Sequence, residues 1–121
     1  MKFTSETIES DSIQIIGLEG QIDIQTAATL EEKLREMLQE PVRVILDLGQ
    51  VSLVTSAGLR VLLVVHKMAA AEPAGGMVLC NVQPSVEKVL IISNFNRVFQ
   101  IAETREEALE KFRQTSPDSS S

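Results

Sequence analysis

The spacing of apolar residues changes repeatedly along the chain, and each change marks an element. Phe3 to Ile8 is weakly periodic, whereas Ser12–Glu19 resembles a strand, with Glu9-Ser10-Asp11 placed to turn a hairpin between them. After Gly20-Gln21-Ile22-Asp23, the positions Ala27, Leu30, Leu34, Met37 and Leu38 form one helical stripe. Thr26 or a neighbour is expected to cap it, and Pro41 to end it. Val42–Leu48 then turns β-branched and apolar, as a central strand covered on both faces does. Val51–Leu59 reads as a polar connection into a helix over Ala57–Glu72, with Thr55 or Ser56 as its N-cap. Pro73, Gly75 and Gly76 stop that helix before a strand over Met77–Val82. Pro84 opens a short helix through Ile92, and Val98–Ile101 is the last strand expected. Thr104 and Glu107 have capping-box spacing, and Ala108, Leu109 and Phe112 give the final helix an apolar face.

A hairpin followed by strand and helix in alternation predicts an α/β fold. Its sheet should be mixed, of four or five strands with right-handed crossovers, and the helices should crowd mainly one face. With 121 residues, a single domain over 1–113 is expected, followed by a disordered tail over 114–121 that has nothing to bury. Four Phe, no Trp and no Tyr leave the core to aliphatic side chains. A net charge of -6 without a Lys/Arg cluster argues against a nucleic-acid partner. The longest apolar run, Val61–Val65, falls far short of the roughly 20 residues of a spanning helix, and no positive segment followed by an apolar one opens the chain. A cytoplasmic protein without direct membrane insertion is therefore expected.

Little in the sequence points to catalysis. His66 is read as a hydrogen-bonded structural histidine, because neither Cys80 nor a second histidine stands at ligand spacing. Cys80, inside Met77-Val78-Leu79-Cys80, reads as a buried apolar filler. Asp23 and Asp47 each stand beside a strand end and would form an acid/base pair only if the fold joined them. No phosphate-cradling glycine loop and no metal or cofactor site is expected.

Ser56 admits three roles. It can cap the helix, accept a phosphate that the helix N-terminus would tolerate, or act as a nucleophile. The third role lacks a base, since His66 lies ten residues on, about 15 Å along the helix axis. Arg60, Val64, Lys67 and Ala71 share a helix face bordered by Val61 and Met68. That stripe reads either as a docking surface or as an aliphatic-rich helix exposing a valine.

The segment Asp47-Leu48-Gly49-Gln50-Val51-Ser52-Leu53-Val54-Thr55-Ser56-Ala57-Gly58-Leu59 resembles the signature of bacterial anti-sigma factor antagonists of the STAS family. Gly20-Gln21-Ile22-Asp23 before Thr26-Ala27 is similar to that family's entry into its first helix, and Gly75–Cys80 followed by Pro84-Ser85-Val86 to its fourth-strand segment. The resemblance implies a non-enzymatic protein that binds an anti-sigma factor, itself a serine-protein kinase, and so releases a sigma factor. Phosphorylation at Ser56 would switch it off, and a PP2C-type phosphatase would restore it. The same resemblance implies a partner surface including Asp23, Thr55, Ser56 and Gly58, beside the Arg60, Val64 and Lys67 stripe. The family often has Asp before the acceptor serine; here Thr55 sets a second hydroxyl beside it. An alternative role is a STAS interaction module that regulates a transporter or another signalling complex.

Overall fold

The opening hairpin joins β1 (Lys2–Ile8) antiparallel to the more apolar β2 (Ile13–Ile22), with Phe3 opposite Leu18 and Ile8 opposite Ile13. The computed structural model describes residues 1–38 and 42–115. Along it follow α1 (Ala27–Met37), β3 (Arg43–Val54), α2 (Ser56–Ala70), β4 (Gly76–Cys80), α3 (Pro84–Ile92), β5 (Gln100–Ala102) and α4 (Arg105–Thr115). The five strands lie in sequence order, and every pair after the hairpin is parallel.

That order decides where the helices go. Three successive crossovers of one hand, each stepping to the next strand in the same direction, fall on the same face of the sheet. Buried residues of α1 (Leu30, Leu34), α2 (Leu62, Val65) and α3 (Val86, Leu90) accordingly share one core cluster with Ile16, Leu46 and Leu79 of the sheet. The residues between these on β2, β3 and β4 point the other way. Ile13, Ile15, Ile45, Val78 and Cys80 form a second cluster with Ala108 and Phe112 of α4, so this helix covers the back face alone. Both faces of the central strands are thus apolar, which explains the near-continuous runs in their sequence.

Several boundaries differ from expectation. The segment Val51–Val54, read as a polar connection, is the second half of β3. Its pairing with β2 shifts register between Gly17 and Glu19 and again between Gly20 and Gln21, where β3 carries an extra residue each time. Leu48, Val51 and Val54 therefore all reach the helix-covered core at a spacing of three. β4 stops at Cys80 because Asn81 turns left-handed at φ 54. Val98 and Phe99 belong to a helical turn, with the Phe99 N–H donating to the Phe95 carbonyl at 2.9 Å and the two rings stacked at 5.3 Å, so β5 begins only at Gln100. α2 starts one residue early, at Ser56, and ends at Ala70. α4 continues through Thr115, beyond the expected start of a tail at Gln114. The stop assigned to Pro41 and the rest of the tail lie outside the described residues.

Candidate functional site

β2 and β3 end together, and their ends bring two distant sequence motifs into contact. Ile22 pairs with Val54, and the Thr55 N–H then donates to the Ile22 carbonyl at 2.9 Å. The Thr55 hydroxyl donates to the same oxygen at 3.3 Å, which holds its side chain against β2. Thr55 is the N-cap of α2 by backbone conformation, yet its side chain caps nothing in the helix. Ser56 is the first helical residue, exposed, and none of the hydrogen bonds described involves its hydroxyl. The capping role weighed for it is therefore not the one it occupies. The first turn of α2 holds no acidic residue and no side-chain cap, so its amide donors meet no carboxylate of that turn.

Gly58 makes this junction possible. A Cβ at Gly58 would lie 2.6 Å from Ile22 Cγ2 and 2.8 Å from the Ile22 carbonyl oxygen, so only glycine allows α2 to start this close to β2. On the other side of the junction, Asp23 Oδ1 accepts from the Gln25 N–H at 2.9 Å and the Thr26 N–H at 3.2 Å. Thr26 Oγ1 accepts from the Asp23 N–H at 3.0 Å and donates to the Gln21 carbonyl at 2.7 Å. Thr26 thus pins the turn before α1 and gives α1 no side-chain cap. Asp23, Thr55, Ser56 and Gly58 meet at one end of the sheet. Arg60 and Lys67 follow along the exposed side of α2, while Val64 between them is half-buried. Val61, one border of that stripe, is buried in the core.

The other expected candidates stand apart from this end. Asp47 and Asp23 form no pair, since each carboxylate serves its own donors. Asp47 projects from the back face, where Oδ1 accepts from the Gly49 N–H at 2.9 Å and Oδ2 from Arg105 Nε at 2.7 Å and Asn81 Nδ2 at 3.1 Å. Burial pushes its carboxyl up, but those three hydrogen bonds and the Arg105 charge outweigh burial and hold it below the usual carboxylate range. Burial, together with nearby Asp47, pushes the Cys80 thiol up to about 12, consistent with an inert filler. His66 departs from expectation: its Nδ1 is buried without a hydrogen-bond partner, and its ring meets Phe99 edge-on at 5.7 Å. Among the described residues no group of three His, Cys, Asp or Glu can hold a metal ion. No helix among them is long and apolar enough to cross a membrane.

The model of the STAS domain family matches residues 4–108. The chain belongs to the STAS domain family. A curated relative in Bordetella bronchiseptica, BtrV, named as a candidate anti-sigma factor antagonist, is 37% identical over 118 residues, spanning 97% of this chain and 99% of its own. Among solved structures, a candidate anti-sigma factor antagonist from Thermotoga maritima superposes with a TM-score of 0.82 at 23% identity, covering 92% of this chain and 94% of that one. The unphosphorylated form of the anti-sigma factor antagonist SpoIIAA gives a TM-score of 0.72 at 24% identity, over 93% of this chain and 97% of that one. At these identities the two structures speak for the fold. The STAS sheet here, with three helices on one face and one on the other, is that fold.

Sequence reading passed over two residues, one beside this end and one on the back face. Ile24 stands in the pinned turn, 82% exposed, and carried no periodic signal of its own. Arg105, met only as part of the Thr104–Glu107 capping box, bridges Asp47 and, at 3.8 Å, Glu6. In that box the Glu107 N–H donates to Thr104 Oγ1 at 3.1 Å, and the Glu107 carboxylate accepts from the Glu103 N–H at 2.8 Å.

Proposed function

We propose that this STAS protein is an anti-sigma factor antagonist: unphosphorylated, it binds an anti-sigma factor that is also a serine-protein kinase, and phosphorylation at Ser56 ends that binding. One observation carries the reading. Of the two adjacent hydroxyls, that of Thr55 is held on the Ile22 carbonyl, while that of Ser56 is exposed and uncommitted at the first turn of a helix without acidic residues. A phosphate there meets favourable helix-end electrostatics, so the helix survives modification. Its charge of about -1.5 to -2 instead changes the surface that a partner would cover. The kinase would transfer the terminal phosphoryl group of ATP to Ser56 Oγ, and a PP2C-type phosphatase would hydrolyse the ester. Likeness to BtrV over nearly the whole chain supports the assignment to this branch of the family.

The test is incubation with the cognate kinase and ATP, followed by residue-resolved mass spectrometry. Phosphate on Ser56, with Thr55 unmodified, is the expected result. An unmodified Ser56 in a pair that binds stably would defeat the proposed switch. A native pull-down dominated by transport components, with no kinase or anti-sigma protein, would favour the alternative role as a transporter module.

A further inference from the structure

We infer that Ile24 is the apolar anchor of the docking surface, seated in an uncharged socket of the partner, and that phosphate at Ser56 opposes docking because it must be dehydrated beside that contact. The inference rests on the reading of Ser56 above and specifies the chemistry of the partner.

A singly exposed isoleucine is ordinary on a protein surface. Three features set Ile24 apart. The first is rigidity. The Asp23 carboxylate is bonded to the Gln25 and Thr26 amides, the Asp23 carbonyl to the Ala27 amide at 2.8 Å, and the Thr26 hydroxyl to both Gln21 and Asp23. Polar side chains on both sides of Ile24 tie down the turn. Ile24 takes no part in that network and is 82% exposed. An apolar side chain presented on a fixed loop loses little freedom on binding, which is the property of an interface anchor.

The second feature is position. Ile22, two residues before Ile24, accepts both hydrogen bonds of Thr55 and lies under Gly58. The turn and the start of α2 are therefore tied to the same residue, at the same end of the sheet, where one partner surface can cover both.

The third is charge. In a chain that is 23% charged, residues 21–26 and 51–59 contain a single ionisable side chain, Asp23, whose carboxylate is engaged in its own turn. The remaining exposed side chains of the two segments are Gln21, Ile24, Gln25, Ser52, Leu53 and Ser56. Around Ile24 itself, short of the stripe that begins at exposed Arg60, a surface so poor in charge suits an apolar, uncharged socket better than an acidic or basic one. Against such a socket a phosphate has no repelling charge to meet, but on its outward side it loses water that no group of the socket replaces, and that cost is large. Dehydration and repulsion respond differently to salt, because only repulsion between exposed charges is screened.

The test is calorimetric titration of the isolated kinase partner, identified as above, with the full chain and its variants, unphosphorylated and stoichiometrically phosphorylated. Ile24→Ala is expected to weaken binding of the unphosphorylated chain by at least about tenfold, while Ile24→Leu stays within about threefold. Ile92→Ala, a truncation at a 73% exposed isoleucine of α3, is the control and should change affinity by less than about twofold. The penalty from phosphorylation should hold within about threefold between about 0.05 and about 0.5 M salt. Wild-type affinity in Ile24→Ala, an equal loss in Ile92→Ala, or a phosphate penalty that collapses with salt would each overturn the inference. The unaltered chain judges the underlying reading separately. If phosphorylation leaves its affinity unchanged, both fall; if phosphorylation weakens it while Ile24→Ala binds normally, the anchor alone is rejected.

Discussion

Ser56 occupies the first helical position and Thr55 the cap, yet the Thr55 hydroxyl bonds the Ile22 carbonyl and not the helix. Because no described hydrogen bond depends on the Ser56 side chain, Ser56→Ala should change unfolding free energy by less than about 0.5 kcal/mol in urea denaturation. Ser56→Asp should remain folded, since a carboxylate in the first turn is favourable, yet bind the kinase partner at least about tenfold more weakly, about 1.4 kcal/mol. Equal binding by the two variants would count against a charge-driven switch. At Gly58 the balance runs the other way. Alanine is the better helix former by about 1 kcal/mol, but its methyl would overlap Ile22 and Val54, and overpacking of this kind costs about 1 to 3 kcal/mol. Gly58→Ala should therefore be a net destabilisation, with amide chemical shifts perturbed through Ile22 into the Asp23 turn. Asp47 offers a pH test. Its folded pKa is depressed, so its contribution is complete above the unfolded carboxylate value of about 3.9 and disappears as pH falls through the lower folded value. Wild type should exceed Asp47→Asn by about 1 kcal/mol at neutral pH, discounted for the partly exposed Arg105, and the gap should close below about pH 4.

At the scale of elements, what could be read from the sequence followed the regularity of the pattern. α1 and α4 declared themselves through stripes such as Ala27, Leu30 and Leu34, which the core does bury. The second half of β3 did not, because two extra residues broke its alternation and left Leu48, Val51 and Val54 at a spacing that suits neither strand nor polar loop. Contacts between remote segments were equally hidden. Nothing local in Ile22 or Gly58 announces that one lies against the other, and only the pairing of β2 with β3 makes Gly58 necessary. Ile24 was invisible for the opposite reason: an apolar residue outside any stripe has no periodic neighbours to give it meaning. The back-face helix provides a test of how separable these elements are. Phe112 is buried against the sheet, so Phe112→Ala should cost about 3 to 5 kcal/mol in thermal or urea unfolding. Since α4 packs on the face opposite α2, the folded variant should bind the kinase partner with unchanged affinity.

For the molecule as a whole, the decisive feature is that every strand pairs with the one made just before it. The Ser56 end is complete once β2, β3 and the start of α2 are in place, and the later strands widen the sheet without touching that junction. The same order has a consequence during synthesis. A polypeptide leaving the ribosome can add each strand to the growing edge without waiting for a distant partner. The seat of α4, begun by Ile13, Ile15 and Ile45 and completed by Val78, is covered last, when residues 105–115 emerge. For an interval on the order of seconds at ordinary translation rates, the nascent chain carries one finished face and one greasy, open one, the kind of surface that chaperones exist to shield.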